Sequence, residues 1–77
     1  MNFVYNMFMN VCFGERLRQL RTEQGLKQAE LATALETTQR RISYLELGKI
    51  EPDLRLLRKI CDFFDVSADF LLGRKEY

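Results

Sequence analysis

The sequence predicts a compact all-α domain of five short helices, and three observations carry that reading. Across residues 14–73, apolar side chains recur at three- and four-residue spacing, as a half-buried helix face requires. The same stretch is divided by helix-start residues (Thr38, Asp53, Ser67) and by glycine stops (Gly25, Gly48, Gly73). Finally, 77 residues with 47% hydrophobic and 30% charged side chains suit one soluble domain with one modest core.

The elements follow in order. Glu15 to Gln24 forms the first helix, with Leu17, Leu20 and Arg21 at helical spacing. Gly25 ends it, since a residue without Cβ suits the left-handed position after a helix. Gln28 to Leu35 forms the second. Leu26 serves as its hydrophobic staple and Glu30 stands where a capping-box acid would. Lys27 occupies the N-cap, where Ser or Thr would serve better. The turn Leu35-Glu36-Thr37 leads to Thr38, the N-cap of a third helix that ends at Gly48. Pro52-Asp53 opens the fourth, with Asp53 as N-cap and Leu54, Leu57, Ile60, Cys61 and Phe64 as its buried stripe. Ser67 caps a fifth, Ala68 to Leu72, closed by Gly73. The expected core is Leu17, Leu20, Leu31, Ala32, Leu35, Ile42, Leu45, Leu57, Ile60, Phe64, Val66, Phe70 and Leu71.

Residues 1–13 stand apart. They carry no charge and three polar residues, Asn2, Asn6 and Asn10. As a helix they would show one polar stripe; as a strand, one wholly apolar face. Both readings stay open. The segment lacks the basic start and small-residue cleavage site of a signal peptide. Domain organisation is therefore expected as an apolar extension (1–12), a folded domain (13–73) and a short tail (74–77). Translation from Met9 would leave only a brief lead into Phe13.

Several function classes are excluded or disfavoured. There is no His, and Cys12 and Cys61 are isolated, so no metal site or other cofactor is expected. Two lone cysteines read as reduced, cytoplasmic thiols. No nucleophile–base set or phosphate-cradling loop argues for an enzyme. No apolar run reaches the ~18–20 residues that span a membrane, and the N-terminal segment has no Lys or Arg to meet anionic lipid. Net charge is only +1, but it is uneven. Residues 14–50 hold seven Arg/Lys against five Glu, and 51–77 hold five against six acids. A nucleic-acid surface would have to come from local clustering.

The third helix supplies such a cluster. At about 100° per residue, Ile42 and Leu45 share one direction, while Arg40, Ser43, Tyr44 and Leu47 gather opposite, flanked by Gln39 and Arg41. A core needs nothing from that outward set. Gln pairs with adenine N6/N7 and Arg with guanine O6/N7 in the DNA major groove, each giving roughly 1–3 kcal/mol of discrimination.

Taken together, Gly25-Leu26-Lys27-Gln28-Ala29-Glu30-Leu31-Ala32 and Thr38-Gln39-Arg40-Arg41-Ile42-Ser43-Tyr44-Leu45-Glu46-Leu47-Gly48-Lys49 resemble the lambda-repressor-like (Cro-type, XRE) helix-turn-helix family. The resemblance runs from about Phe13 to Gly73. It implies that Gln39, Arg40, Ser43 and Tyr44 touch base edges of double-stranded DNA. It also implies backbone contacts from Gln28, Lys49 and Thr38, with Lys27 adding its charge and Arg41 poised between phosphate and base. Gln28, placed at a helix start, would carry few structural duties. Arg21 and Glu46 match a structural ion pair of the family. Two residues depart from the pattern. Glu36 stands where the turn usually has Gly, at a cost of roughly 1 kcal/mol, and Leu47 is apolar on the outward side.

The resemblance implies a transcriptional regulator, expected as a homodimeric repressor on a palindromic operator with half-sites about 34–36 Å apart. At 77 residues the chain is expected to leave no room for a second domain. Candidate subunit contacts are Phe63, Phe70, Leu72 and the apolar N-terminus. The alternative is an antitoxin-like module that needs a protein partner, held through that N-terminus. Stable homodimers formed without a partner would favour the first.

Overall fold

The computed structural model describes residues 3–76, with side chains from Phe8 onward. The N-terminal segment, left open between helix and strand, is helical from Phe3 onward. The first helix is one element, α1 (Phe3–Glu23), rather than one starting at Glu15. Of the expected asparagine stripe, Asn2 and the side chain of Asn6 lie outside the described residues. The remaining elements are α2 (Gln28–Ala34), α3 (Gln39–Glu46), α4 (Leu54–Phe64) and α5 (Ala68–Leu71). No helix among the described residues is long and apolar enough to cross a membrane.

Helix starts follow the predicted chemistry. The side chains of Thr38, Asp53 and Ser67 accept from the backbone N–H of Arg41, Leu56 and Phe70. Lys27 offers no acceptor, and α2 is held instead by Glu30, whose Oε1 accepts from the Lys27 backbone N–H at 2.8 Å. Gly25 adopts the left-handed conformation (φ 69°), and so does Glu36 (φ 59°) in the α2–α3 turn. Lys59 steadies that turn, donating to the Leu35 carbonyl at 3.4 Å and pairing with Glu36 at 3.1 Å. Asp65 ends α4 in the same left-handed region (φ 54°), a stop with no glycine to announce it.

The core is Phe13, Leu17, Leu31, Ala32, Leu35, Ile42, Leu45, Leu56, Ile60, Phe64 and Leu71. Each large apolar side chain fully buried there contributes about 1.5–3 kcal/mol. Leu20, Leu57, Val66 and Phe70, expected inside, are half-buried at its margin. The α4 stripe needs correction. It runs Leu56–Ile60–Phe64, a four-residue row, and Leu54 is 84% exposed. With Asp53 as cap, Leu54 is the first helical residue, two positions before Leu56 and so roughly 200° around the helix from that row.

Residues 10–14 of α1 wedge between the turns that close α3 and α5. A Cβ on Gly14 would lie 2.5 Å from the carbonyl oxygens of both Leu45 and Glu46. A Cβ on Gly48 would lie 3.5 Å from the backbone of Asn10 and Val11, and one on Gly73 would lie 3.1 Å from the Cys12 side chain. This wedge fixes the far end of α3. At the other edge of α1, Arg16 Nη1 donates to the Phe70 and Lys75 carbonyls, both at 2.7 Å. Its guanidinium also lies 4.6 Å from the Phe70 ring centre and pairs with Glu76 at 3.2 Å.

Asp53 serves two partners. One oxygen accepts from Leu56 N–H at 2.8 Å, the other from Arg41 Nη2 at 3.0 Å. The backbone bond first, then Arg41, hold its carboxyl below its ordinary pKa. A carboxylate depressed in the folded state stabilises above its unfolded pKa, and loses that contribution as pH falls through the folded value. Asp53→Asn keeps the cap and loses the charge. The wild-type stability advantage over this variant is expected to shrink as thermal scans move below about pH 4. A gap that stays constant with pH would show that the carboxylate charge adds nothing.

Candidate nucleic-acid interface

α3 turns Ile42 and Leu45 into the core with no exposed surface. Its opposite face carries the predicted cluster. Gln39 and Arg40 are exposed, Ser43 and Tyr44 half-buried, and Lys49 exposed just past the helix. Leu47 is 61% exposed at the C-terminal rim.

Arg40, Tyr44 and Lys49 come together. Arg40 Nε donates to the Tyr44 hydroxyl at 3.2 Å, with its guanidinium carbon 5.3 Å from the ring centre. Lys49 Nζ lies 5.5 Å from the same ring, so two cations share one aromatic face system within cation–π reach. Arg41 points elsewhere, to Asp53. The Thr38 hydroxyl oxygen accepts the cap bond from Arg41 N–H at 3.1 Å, and its O–H can still donate to a phosphate. Lys27 is exposed at the start of α2.

Beneath this face Arg21 and Glu46 form a two-pronged pair, Nε to Oε2 at 2.6 Å and Nη2 to Oε1 at 3.0 Å. Their side chains are only 12% and 5% exposed. Arg21 Nη1 also donates to the Leu26 carbonyl at 2.8 Å, joining α1 to the turn before α2. The Glu46 hydrogen bond holds the Arg21 guanidinium above its ordinary pKa. Gln28, expected to have few structural duties, instead donates from Nε2 to Glu46 Oε1 at 3.0 Å. One carboxylate thus ties α1, α2 and α3 together, and Gln28 keeps one Nε2 hydrogen for another acceptor.

Sequence reasoning missed Arg18. It lines a shallow depression of about 150 Å³ with Arg21, Gln28, Ser43, Glu46 and Leu47. Its position three residues before Arg21, on one helix face, is the signal that could have found it. The Arg41–Asp53 pair left no such trace, because its partners lie on different elements.

Comparison with known proteins gives a consistent picture. The family model described as Helix-turn-helix matches residues 17–71. An SPbeta prophage-derived HTH-type transcriptional regulator of Bacillus subtilis, YonR, is 45% identical over 60 residues, covering 78% of this chain and 56% of that protein. The HTH-type transcriptional activator BcrR of Enterococcus faecalis is 42% identical over 64 residues, covering 83% of this chain and 31% of that protein. This chain therefore spans about half or less of these relatives' length. Among solved structures, the P22 c2 repressor in complex with synthetic operator 9T is similar, with a TM-score of 0.77 and 28% identity. That likeness covers 82% of this chain and 96% of the repressor chain. The clp gene regulator ClgR from Corynebacterium glutamicum has a TM-score of 0.75 and 29% identity, covering 86% of this chain and 70% of that chain.

Proposed function

Because this chain belongs to the helix-turn-helix family, we propose that it is a sequence-specific DNA-binding transcriptional regulator whose α3 enters the major groove. The observation that carries this reading is the division of α3: Ile42 and Leu45 fully buried, and Gln39, Arg40, Ser43 and Tyr44 facing outward beside Lys49. Gln39, Arg40 and Ser43 reach base edges through their polar groups, and Tyr44 through its ring. Lys27, Gln28, Thr38, Arg41 and Lys49 hold the phosphate backbone, with Gln28 using its remaining amide hydrogen and Arg41 exchanging Asp53 for a phosphate. The likeness to a repressor bound to its operator supports repression. The named relatives are transcriptional regulators, not enzymes.

A single α3 reads half a site, so the working unit is a homodimer on a palindrome. Phe70 and Leu72 are half-buried within the domain, whereas Phe8 (61%), Val11 (42%) and Phe63 (40%) remain exposed for the subunit contact. Selection of bound duplexes from a random pool, with the mass in solution measured alongside, tests the whole reading. A palindrome with half-sites about one helical turn apart is the expected result. No enrichment, with salt-sensitive binding alone, would instead favour a module that requires a protein partner.

The two contact classes are separable. Arg40→Ala is expected to flatten the preference at one base position. Lys49→Ala is expected to weaken all sequences alike and to shallow the log K against log salt slope by about one unit. Indistinguishable behaviour of the two variants would refute the division between base reading and backbone holding.

A further inference from the structure

We propose that Tyr44 is a positioning residue that sets how Arg40 presents its guanidinium to a base; this rests on the assignment of α3 as the DNA-reading helix. Arg40 and Tyr44 are four residues apart and so lie on one face of α3. The Tyr44 hydroxyl accepts from Arg40 Nε at 3.2 Å, and the guanidinium carbon lies 5.3 Å from the ring centre. With Nε engaged, the two terminal nitrogens form the free edge of the fork. That edge alone is left to make a two-pronged contact, of the kind guanine O6/N7 accepts. Tyr44 is half-buried, and Lys49 lies 5.5 Å from its ring. The platform under Arg40 is thus fixed before DNA arrives. A long, exposed Arg side chain otherwise loses rotamer freedom on binding, and fixing it beforehand lowers that cost.

Tyr44→Phe is the informative change, because it keeps the ring beneath both cations and removes only the hydroxyl. Duplex selection with wild type, Arg40→Ala, Tyr44→Phe and the double variant is the test. Tyr44→Phe is expected to lower discrimination about five- to tenfold at the base position that Arg40→Ala flattens. Other positions and the salt slope are expected to stay as in wild type, and the double variant to lose no more than Arg40→Ala alone. Full discrimination retained at that position overturns the proposal. So does loss confined to a different position, which would make the Tyr44 hydroxyl itself a group that reads a base. Wild-type protein that selects no sequence overturns the DNA-reading assignment and this proposal together.

A second readout needs no DNA. By NMR, the Arg40 Nε proton is expected to exchange with water more slowly in wild type than in Tyr44→Phe. Equal exchange in the two free proteins shows that the hydroxyl does not hold Arg40, and sinks the proposal independently of any DNA result.

Discussion

Replacing Glu46 with alanine is expected to lower the free energy of unfolding by about 3–5 kcal/mol, the cost of stranding one partner of a buried ion pair. The effect is large because this carboxylate accepts three hydrogen bonds from two residues. Arg21 loses two hydrogen bonds and Gln28 loses one, leaving an Arg21 side chain only 12% exposed with the Leu26 carbonyl as its remaining partner among these. Removing both charges with Arg21→Met and Glu46→Leu is expected to be far milder, because neither group is then left buried and unpaired. Urea unfolding of the two variants makes the comparison. A loss below about 1 kcal/mol for Glu46→Ala would place the pair with solvent-screened surface bridges. The Arg16–Glu76 and Lys59–Glu36 pairs belong to that weaker class, since their acids are 89% and 78% exposed.

Gly14→Ala is the second substitution with a large expected effect, a loss of about 1–3 kcal/mol. In an open helix the change would help, since alanine is favoured over glycine by about 0.8–1 kcal/mol. Here the new methyl would meet two carbonyl oxygens at 2.5 Å and the Glu46 carbonyl carbon at 2.9 Å, all backbone atoms that cannot swing aside. Steric overlap therefore wins, and α1 must lift from the end of α3. Weaker DNA binding should accompany the lower melting temperature, because α3, which loses that support, carries Tyr44 and leads into Lys49. Gly25→Ala is the control. It has nothing within 4 Å and a φ of 69°, so it should cost about 1–2 kcal/mol through backbone strain alone and leave binding intact. Equal stability of Gly14→Ala and wild type would mean that the α1–α3 approach relaxes freely.

Much of this architecture could be read locally. Thr38, Asp53 and Ser67 are side-chain caps, and a cap is recognised from its own residue type and the next turn. Ile42 and Leu45 were legible as the inward face of α3 because the rest of that helix is polar. What escaped was tertiary. Nothing near Gly14 in sequence reveals that two carbonyls of α3 press against it. In α4, adjacent Leu56 and Leu57 fit two stripes equally well, and only packing chooses Leu56. Residues 1–13 gave no preference between helix and strand because both periods leave an apolar face. Gln28 looked idle because its partner Glu46 lies on another helix. The same is true of Arg41, whose carboxylate partner is twelve residues away. The outward-facing set was easier to nominate, since surplus polar groups on a short amphipathic helix are conspicuous without any partner.

The Arg16 clamp has a mechanical consequence. By gripping the carbonyls of Phe70 and Lys75 together with the Glu76 carboxylate, it stitches the tail to the chain's first helix. Tension applied beyond Glu76 would not simply peel off the four residues of α5. It would be borne in shear by α1, the longest element, which is in turn seated on the end of α3. A tether fused after the tail therefore pulls on the same strut that aims the outward face.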